Sequence, residues 1–218
     1  MLSGTGDDPL ARHVYPLAKP LVAPPITVDA SDLPSGQAWG DKAKEVATAW
    51  YPIITSLLST QDYKPQRAIK FVIKKEISAP AWAAGDTITI NGKWITAHPD
   101  DLGMIVHELT HIIQAYPRNK ADVGWLVEGI ADYIRWWRYE PEAPRQRIDA
   151  EKNKYTDSYR VTAYWLAWVS RKYDMRLVPA LDRELRKGED PMPIFNQMTG
   201  KSPDDLWKEF VAAVAVKS

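Results

Sequence analysis

The sequence predicts an α+β fold, with an N-terminal lobe built from a small mixed sheet and helices and a mostly helical C-terminal lobe. Three observations carry that prediction. Short runs rich in Ile, Val and Thr fall between residues 26 and 97, the composition of half-buried strands. Beyond residue 124, apolar residues recur at helical spacing. Between these regions, residues 104–116 form one apolar helix that carries two histidines and a glutamate.

Residues 1–25 contain Pro9, Pro16, Pro20, Pro24 and Pro25 and are expected to form an extended arm, since proline this dense excludes helix. His13, within the arm, reads as an ordinary surface histidine. Residues 26–218 follow as a single domain. Residues 26–30 make a short strand and 31–36 have turn chemistry. From 39 to 58 the residues Ala43, Val46, Ala47, Trp50, Ile53, Ile54 and Leu57 recur at helical spacing, giving a long helix with a core-facing stripe. Residues 68–75 read as a strand, and 81–83 and 87–90 as two shorter ones. Asn91-Gly92 has the composition of a hairpin turn leading into residues 93–97.

Asp100 or Asp101 is expected to cap the next helix. On that helix His107 and His111 are four apart, so they share a face and can ligate one ion. Glu108 lies about 100° further round, beside such an ion, where it can take a proton from water. Met104, Ile105, Val106, Leu109, Ile112 and Ile113 make the helix apolar on nearly every side. Buried polar groups there require partners, a metal or an open cleft. The plainer reading is a core helix with two satisfied histidines. His98, set off by Pro99, is not expected to be a ligand and suits a structural or substrate-side role.

Tyr116-Pro117 ends that helix, and residues 118–123 are a polar connection. A second helix starts at Gly124 and presents Glu128 and Asp132 on one face, with Gly129 leaving room for close packing. A catalytic zinc takes three protein ligands and keeps a fourth position for water. Glu128 is the candidate third ligand, with Asp132 an outer acceptor for a histidine N–H; the competing assignment exchanges the two. This helix is expected to run through Tyr139, ending in Arg135-Trp-Trp-Arg-Tyr139, a patch assigned to packing against the C-terminal helices. Residues 141–144 break the chain and 145–158 form a polar loop. Helices are expected over 159–173, 176–187 and 202–216, the last capped by Ser202 with Pro203 at its first position.

His107-Glu108-Leu-Thr-His111-Ile-Ile-Gln114, followed by Trp125-Leu-Val-Glu128-Gly-Ile-Ala-Asp132-Tyr-Ile-Arg135, resembles the peptidases of the basic secretory protein family. The resemblance extends upstream to Ile26-Thr-Val-Asp29 and residues 39–51, and downstream to Ser158-Tyr-Arg-Val-Thr-Ala163. More distantly the motif pair is similar to the gluzincins, in which the Glu at position 128 is the third zinc ligand and the Asp at position 132 supports a histidine. It implies a zincin-like fold with Zn2+ between the two lobes. An edge strand, here Ala81, Trp82, Ala83 and Ala84, would bind the substrate backbone. The connection from His111 to Glu128 is slightly shorter than in the gluzincins. The resemblance further implies an exported protein, secreted or periplasmic, whose leader is removed or omitted.

Lys and Arg balance Asp and Glu at 28 each, so no electrostatic footprint for nucleic acid or an anionic membrane is present, and nothing follows from the family's word "basic". The absence of cysteine excludes disulfides and thiolate ligands. No apolar stretch approaches a membrane span, and the first six residues are no signal peptide. The expected partner is a peptide or protein substrate, and the expected state a monomer.

The chemistry expected is peptide-bond hydrolysis with Glu108 as general base and, as candidate oxyanion donor, Tyr159, which opens the helix after the polar loop at a place that resembles the family's Ser-Tyr-x-x-Thr-Ala run; the plainer reading is a Tyr packing at a helix start. Tyr155 and Arg160 are the next candidates for that donor. Three rivals stand beside it. A di-iron site needs a second Glu-x-x-His unit and two further glutamates, and only Glu108-Leu-Thr-His111 is present. A catalytically silent module binding peptide or glycan would not need a base at position 108. A metal-dependent hydrolase of a non-peptide amide shares every residue named.

Overall fold

The computed structural model describes residues 20–58, 63–117 and 122–214. His13, most of the proline-rich arm and residues 118–121 of the polar connection lie outside them. The fold is mixed α/β, and the chain divides into two compact units, Pro16–Ala115 and a second that takes in Tyr116–Ser218.

Among the described residues the first unit holds four strands and the second none: β1 (Ile26–Asp29), β2 (Ile69–Lys74), β3 (Ala81–Ala84) and β4 (Thr87–Asn91). Their order is β1-β2-β4-β3, with β1, β2 and β4 parallel and β3 antiparallel to β4 at the edge. Helix α1 (Gln37–Leu57) connects β1 to β2, the crossover that a parallel pair requires. Phe71 and Ile73 of β2 and Ile88 and Ile90 of β4 are fully buried on one face. Helix α1 reaches that sheet closely because Gly40 carries no Cβ; one built there would meet Val28 Cγ1 at 2.5 Å. Pro52 sits inside α1 and the helix continues through it.

The turn of the β3–β4 hairpin is Gly85-Asp86, with Gly85 at φ +58°, a conformation that glycine adopts without penalty. Asn91-Gly92, expected as the hairpin turn, instead opens a short helix α2 (Gly92–Ala97). The Asn91 carboxamide oxygen accepts the N–H groups of Lys93 and Trp94, and its Nδ2 donates to the carbonyls of Ile77 and Ala79. Gly92 serves close approach rather than a left-handed turn, since a Cβ there would lie 2.7 Å from Lys74 O.

Helix α3 (Gly103–Gln114) follows and packs on α1 and β3. Its N-cap is Leu102, not Asp100 or Asp101; the Asp101 carboxylate is engaged by Trp94 Nε1 at 2.9 Å. Trp39 Nε1 donates to Pro99 O, tying the start of α1 to the approach of α3. The helix ends at Gln114, two residues before Tyr116, with the C-cap Ala115 in the left-handed region at φ +38°.

The second unit is helical: α4 (Gly124–Ile134), continued by a π-helical turn over Arg135–Tyr139, then α5 (Tyr159–Lys172), α6 (Leu177–Lys187), α7 (Met192–Thr199) and α8 (Pro203–Val214). Helix α7 has no counterpart in the sequence-based reading. The Ser202 hydroxyl accepts from Asp205 N at 3.2 Å, the expected cap of α8. Helices α4 and α5 pack closely: a Cβ on Gly129 would lie 2.2 Å from Thr162 Cγ2. The aromatic patch packs as expected, with Trp137 stacked on Tyr164 of α5 and the guanidinium groups of Arg135 and Arg160 each over the Trp136 ring. No helix among the described residues is long and apolar enough to cross a membrane.

Candidate metal centre

Helix α3 is buried almost throughout, His107 and Glu108 included, each 8% exposed. Its apolar residues fix it against α1 and β3, so the polar side chains on it are held by packing rather than by solvent. A hydroxyl relay secures its last turns: Tyr51 donates to Tyr63, and Tyr63 to the Ile112 carbonyl at 3.4 Å. Burial, and then the Tyr63 hydroxyl, push the Tyr51 phenol well above its usual pKa, so Tyr51 keeps its proton to donate.

Nε2 of His107 and Nε2 of His111 lie 3.1 Å apart, with the rings edge-on at an interplanar angle of 84°. Nδ1 of His111 is 2.7 Å from Oε1 of Gln114, which is 2% exposed. With Nδ1–H donating to that oxygen, Nε2 of His111 carries its lone pair toward His107. Glu108 sits on the same helix one residue after His107. His98 takes no part in this arrangement; it is exposed, stacked on Trp94 with centroids 4.0 Å apart. The edge strand β3 belongs to the same unit as α3 and packs on it.

In the second unit Glu128 and Asp132 stand one turn apart on α4, Glu128 partly exposed and Asp132 buried. Tyr159 begins α5 and is 55% exposed. Its φ is +46° and that of Ser158 is +65°, two successive non-glycine residues in a region that costs each of them energy. Tyr155 and Arg160 are engaged structurally. Tyr155 packs against Trp125 and Trp165, and burial together with the Asp204 carboxylate raises its pKa. Arg160 donates to Pro144 O at 2.6 Å and covers Trp136.

Gln114 is the residue of this site that pattern reading missed. It stands in the His107–Gln114 run, three residues after His111, and its spacing on a helix was the available signal.

The family model described as peptidase of plants and bacteria, that of the basic secretory protein peptidases, matches residues 25–210. The chain belongs to that family. No curated protein and no solved structure matches it. As a basic secretory protein family member it is placed among peptidases, whose substrates are peptides or proteins. The family match spans both histidines, both carboxylates of α4 and Tyr159.

Proposed function

We propose that this chain is a zinc-dependent peptidase in which His107, His111 and Glu128 hold the ion and Glu108 is the general base. The observation that carries the proposal is the 3.1 Å separation of the two imidazole Nε2 atoms, with the other nitrogen of His111 committed to Gln114. Two nitrogens at about 2.0–2.1 Å from a tetrahedral ion are about 3.3 Å apart, so the pair needs only a small adjustment to share one. Glu128 would add a carboxylate oxygen to the two ring nitrogens, completing three ligand atoms. Two neutral imidazoles and a carboxylate are a donor set of catalytic zinc, and without cysteine the chain offers no thiolate alternative. Asp132 is assigned to orienting a histidine from behind.

When bound, such an ion supplies Lewis acidity toward a scissile carbonyl and acidifies water beside it. Glu108 takes the proton of the attacking water and delivers it to the departing amine nitrogen. Tyr159 donates its phenolic hydrogen to the developing oxyanion, a contribution of about 3–4 kcal/mol in comparable sites. The outer edge of β3, at Ala81, Trp82, Ala83 and Ala84, pairs with the backbone of an extended peptide. The reading extends to an exported enzyme acting as a monomer, export being what the family's name suggests.

The test is metal analysis of the purified protein, followed by digestion of a peptide library with and without chelator. About one zinc per chain and chelator-sensitive cleavage are expected. Metal-free protein that cleaves peptides equally well refutes the proposal.

A further inference from the structure

Strand β3 has one large exposed side chain. Trp82 is 46% exposed in an otherwise all-alanine strand, Ala81-Trp82-Ala83-Ala84. The register defines what it would face. Ala81 and Ala83 stand opposite Ile90 and Ile88, the buried residues on the helix-covered face. Trp82 stands opposite Thr89, which is in register with Val72 of β2, so the indole belongs to the other face of the sheet.

Hydrogen bonding alternates along the same strand. Asn91 N donates to Pro80 O at 2.9 Å, which makes that pair a hydrogen-bonded one. Counting along the antiparallel ladder, Trp82 and Ala84 direct their backbone groups to β4, while Ala81 and Ala83 direct theirs to the outer edge. Among the described residues no further strand lies beyond β3. An antiparallel peptide added there would exchange hydrogen bonds with Ala81 and Ala83. Its residue between those two bonds would fall opposite Trp82 in a non-hydrogen-bonded pair, the closer of the two cross-strand arrangements at about 4.5 Å between Cα atoms.

We propose that Trp82 is a specificity-determining residue: it selects an aromatic or β-branched side chain at the single substrate position that pairs across from it. This rests on the reading of β3 as the peptide-binding edge. The neighbouring substrate residues, opposite Ala81 and Ala83, turn to the helix-covered face and do not meet the indole.

The experiment compares the wild type with Trp82→Thr and Trp82→Phe on a peptide library varied one position at a time, with zinc content and circular dichroism of each protein measured alongside. For the wild type, kcat/KM at one position should favour aromatic or β-branched residues over alanine by about two- to fivefold, the range of a cross-strand aromatic pair. Trp82→Thr should erase that ratio at that position and leave the ratios at other positions in place, and Trp82→Phe should keep it. A Trp82→Thr profile identical to the wild type, or a folded, zinc-loaded Trp82→Thr protein whose preferences change evenly at all positions, overturns the inference while leaving the peptidase reading intact. Wild-type protein that cleaves no peptide overturns both.

Discussion

Nδ1 of His111 lies 2.7 Å from Oε1 of Gln114, three residues further along the same helix. The acceptor is buried, and a ring that donates Nδ1–H to it presents the lone pair of Nε2, the nitrogen proposed as ligand. Gln114→Leu, similar in volume but without the acceptor, should weaken zinc affinity by about ten- to a hundredfold, and Gln114→Glu should restore most of it. Competition against a chelator of known affinity measures both; unchanged affinity in Gln114→Leu would show that the contact does not support a ligand.

Glu108→Gln preserves shape and removes the carboxylate proposed as the base. Zinc content should stay near that of the wild type while kcat falls by about 10²–10⁴-fold, the range for loss of general acid–base catalysis. Turnover within a factor of two of the wild type would dismiss the role assigned to this carboxylate.

Glu128→Ala and Asp132→Ala separate ligand from supporting group. The first should abolish stoichiometric zinc, and the second should reduce affinity by about ten- to a hundredfold with zinc still bound at saturation. The opposite pattern in metal analysis would exchange the two assignments.

Gly129→Ala introduces a methyl group where a Cβ meets Thr162 Cγ2 at 2.2 Å and Thr162 Cβ at 2.7 Å. Overpacking of this kind should destabilise by about 1–3 kcal/mol. Thr162→Ser in the same chain should recover part of the loss, because it removes Cγ2 while keeping the hydroxyl that donates to Tyr155 O. Thermal melts of the two variants decide it: equal Tm for Gly129→Ala and wild type would mean α4 and α5 can separate at no cost.

Glu209 receives hydrogen bonds from Lys201, Tyr173 and Lys172, which together hold its carboxyl down to about 2. A carboxyl lowered by folding contributes stability that is fully present above its unfolded pKa, about 4.3, and is lost as pH falls toward 2. Glu209→Gln should therefore be less stable than the wild type at pH 6 and approach it between pH 4 and pH 2. Urea melts across that range check the convergence; a constant difference would show the cluster carries no proton linkage.

The histidine pair was legible because a helical period alone puts positions 107 and 111 on one face. Burial of α3 was legible too, since its apolar residues surround it. Gln114 was not, because its role depends on a side-chain rotamer directed at a neighbouring ring. Asn91-Gly92 misled for a different reason. The same dipeptide suits a tight turn or a helix cap, and carbonyls at Ile77 and Ala79, distant in sequence from any local pattern, decide between them.

The cap of α3 shows competition of the same sort. Asp101 has the right chemistry at nearly the right place, but Trp94 Nε1 holds its carboxylate. Helix α7 escaped notice because its eight residues lie between Pro191 and Gly200 with a single fully buried side chain, Phe195, too little for a periodic signal. The sheet's existence followed from composition, whereas its order needed the pairings.

The strand order also has a kinetic side. Strands β3 and β4 meet through a two-residue turn and can associate early, whereas Ile26 must find Ile69 across the full length of α1. Closing so long a loop has to be paid in chain entropy before any contact rewards it, which makes β1 the late arrival. Until it docks, the β2 edge stays open to neighbouring chains, and refolding yield of this unit is expected to fall as protein concentration rises.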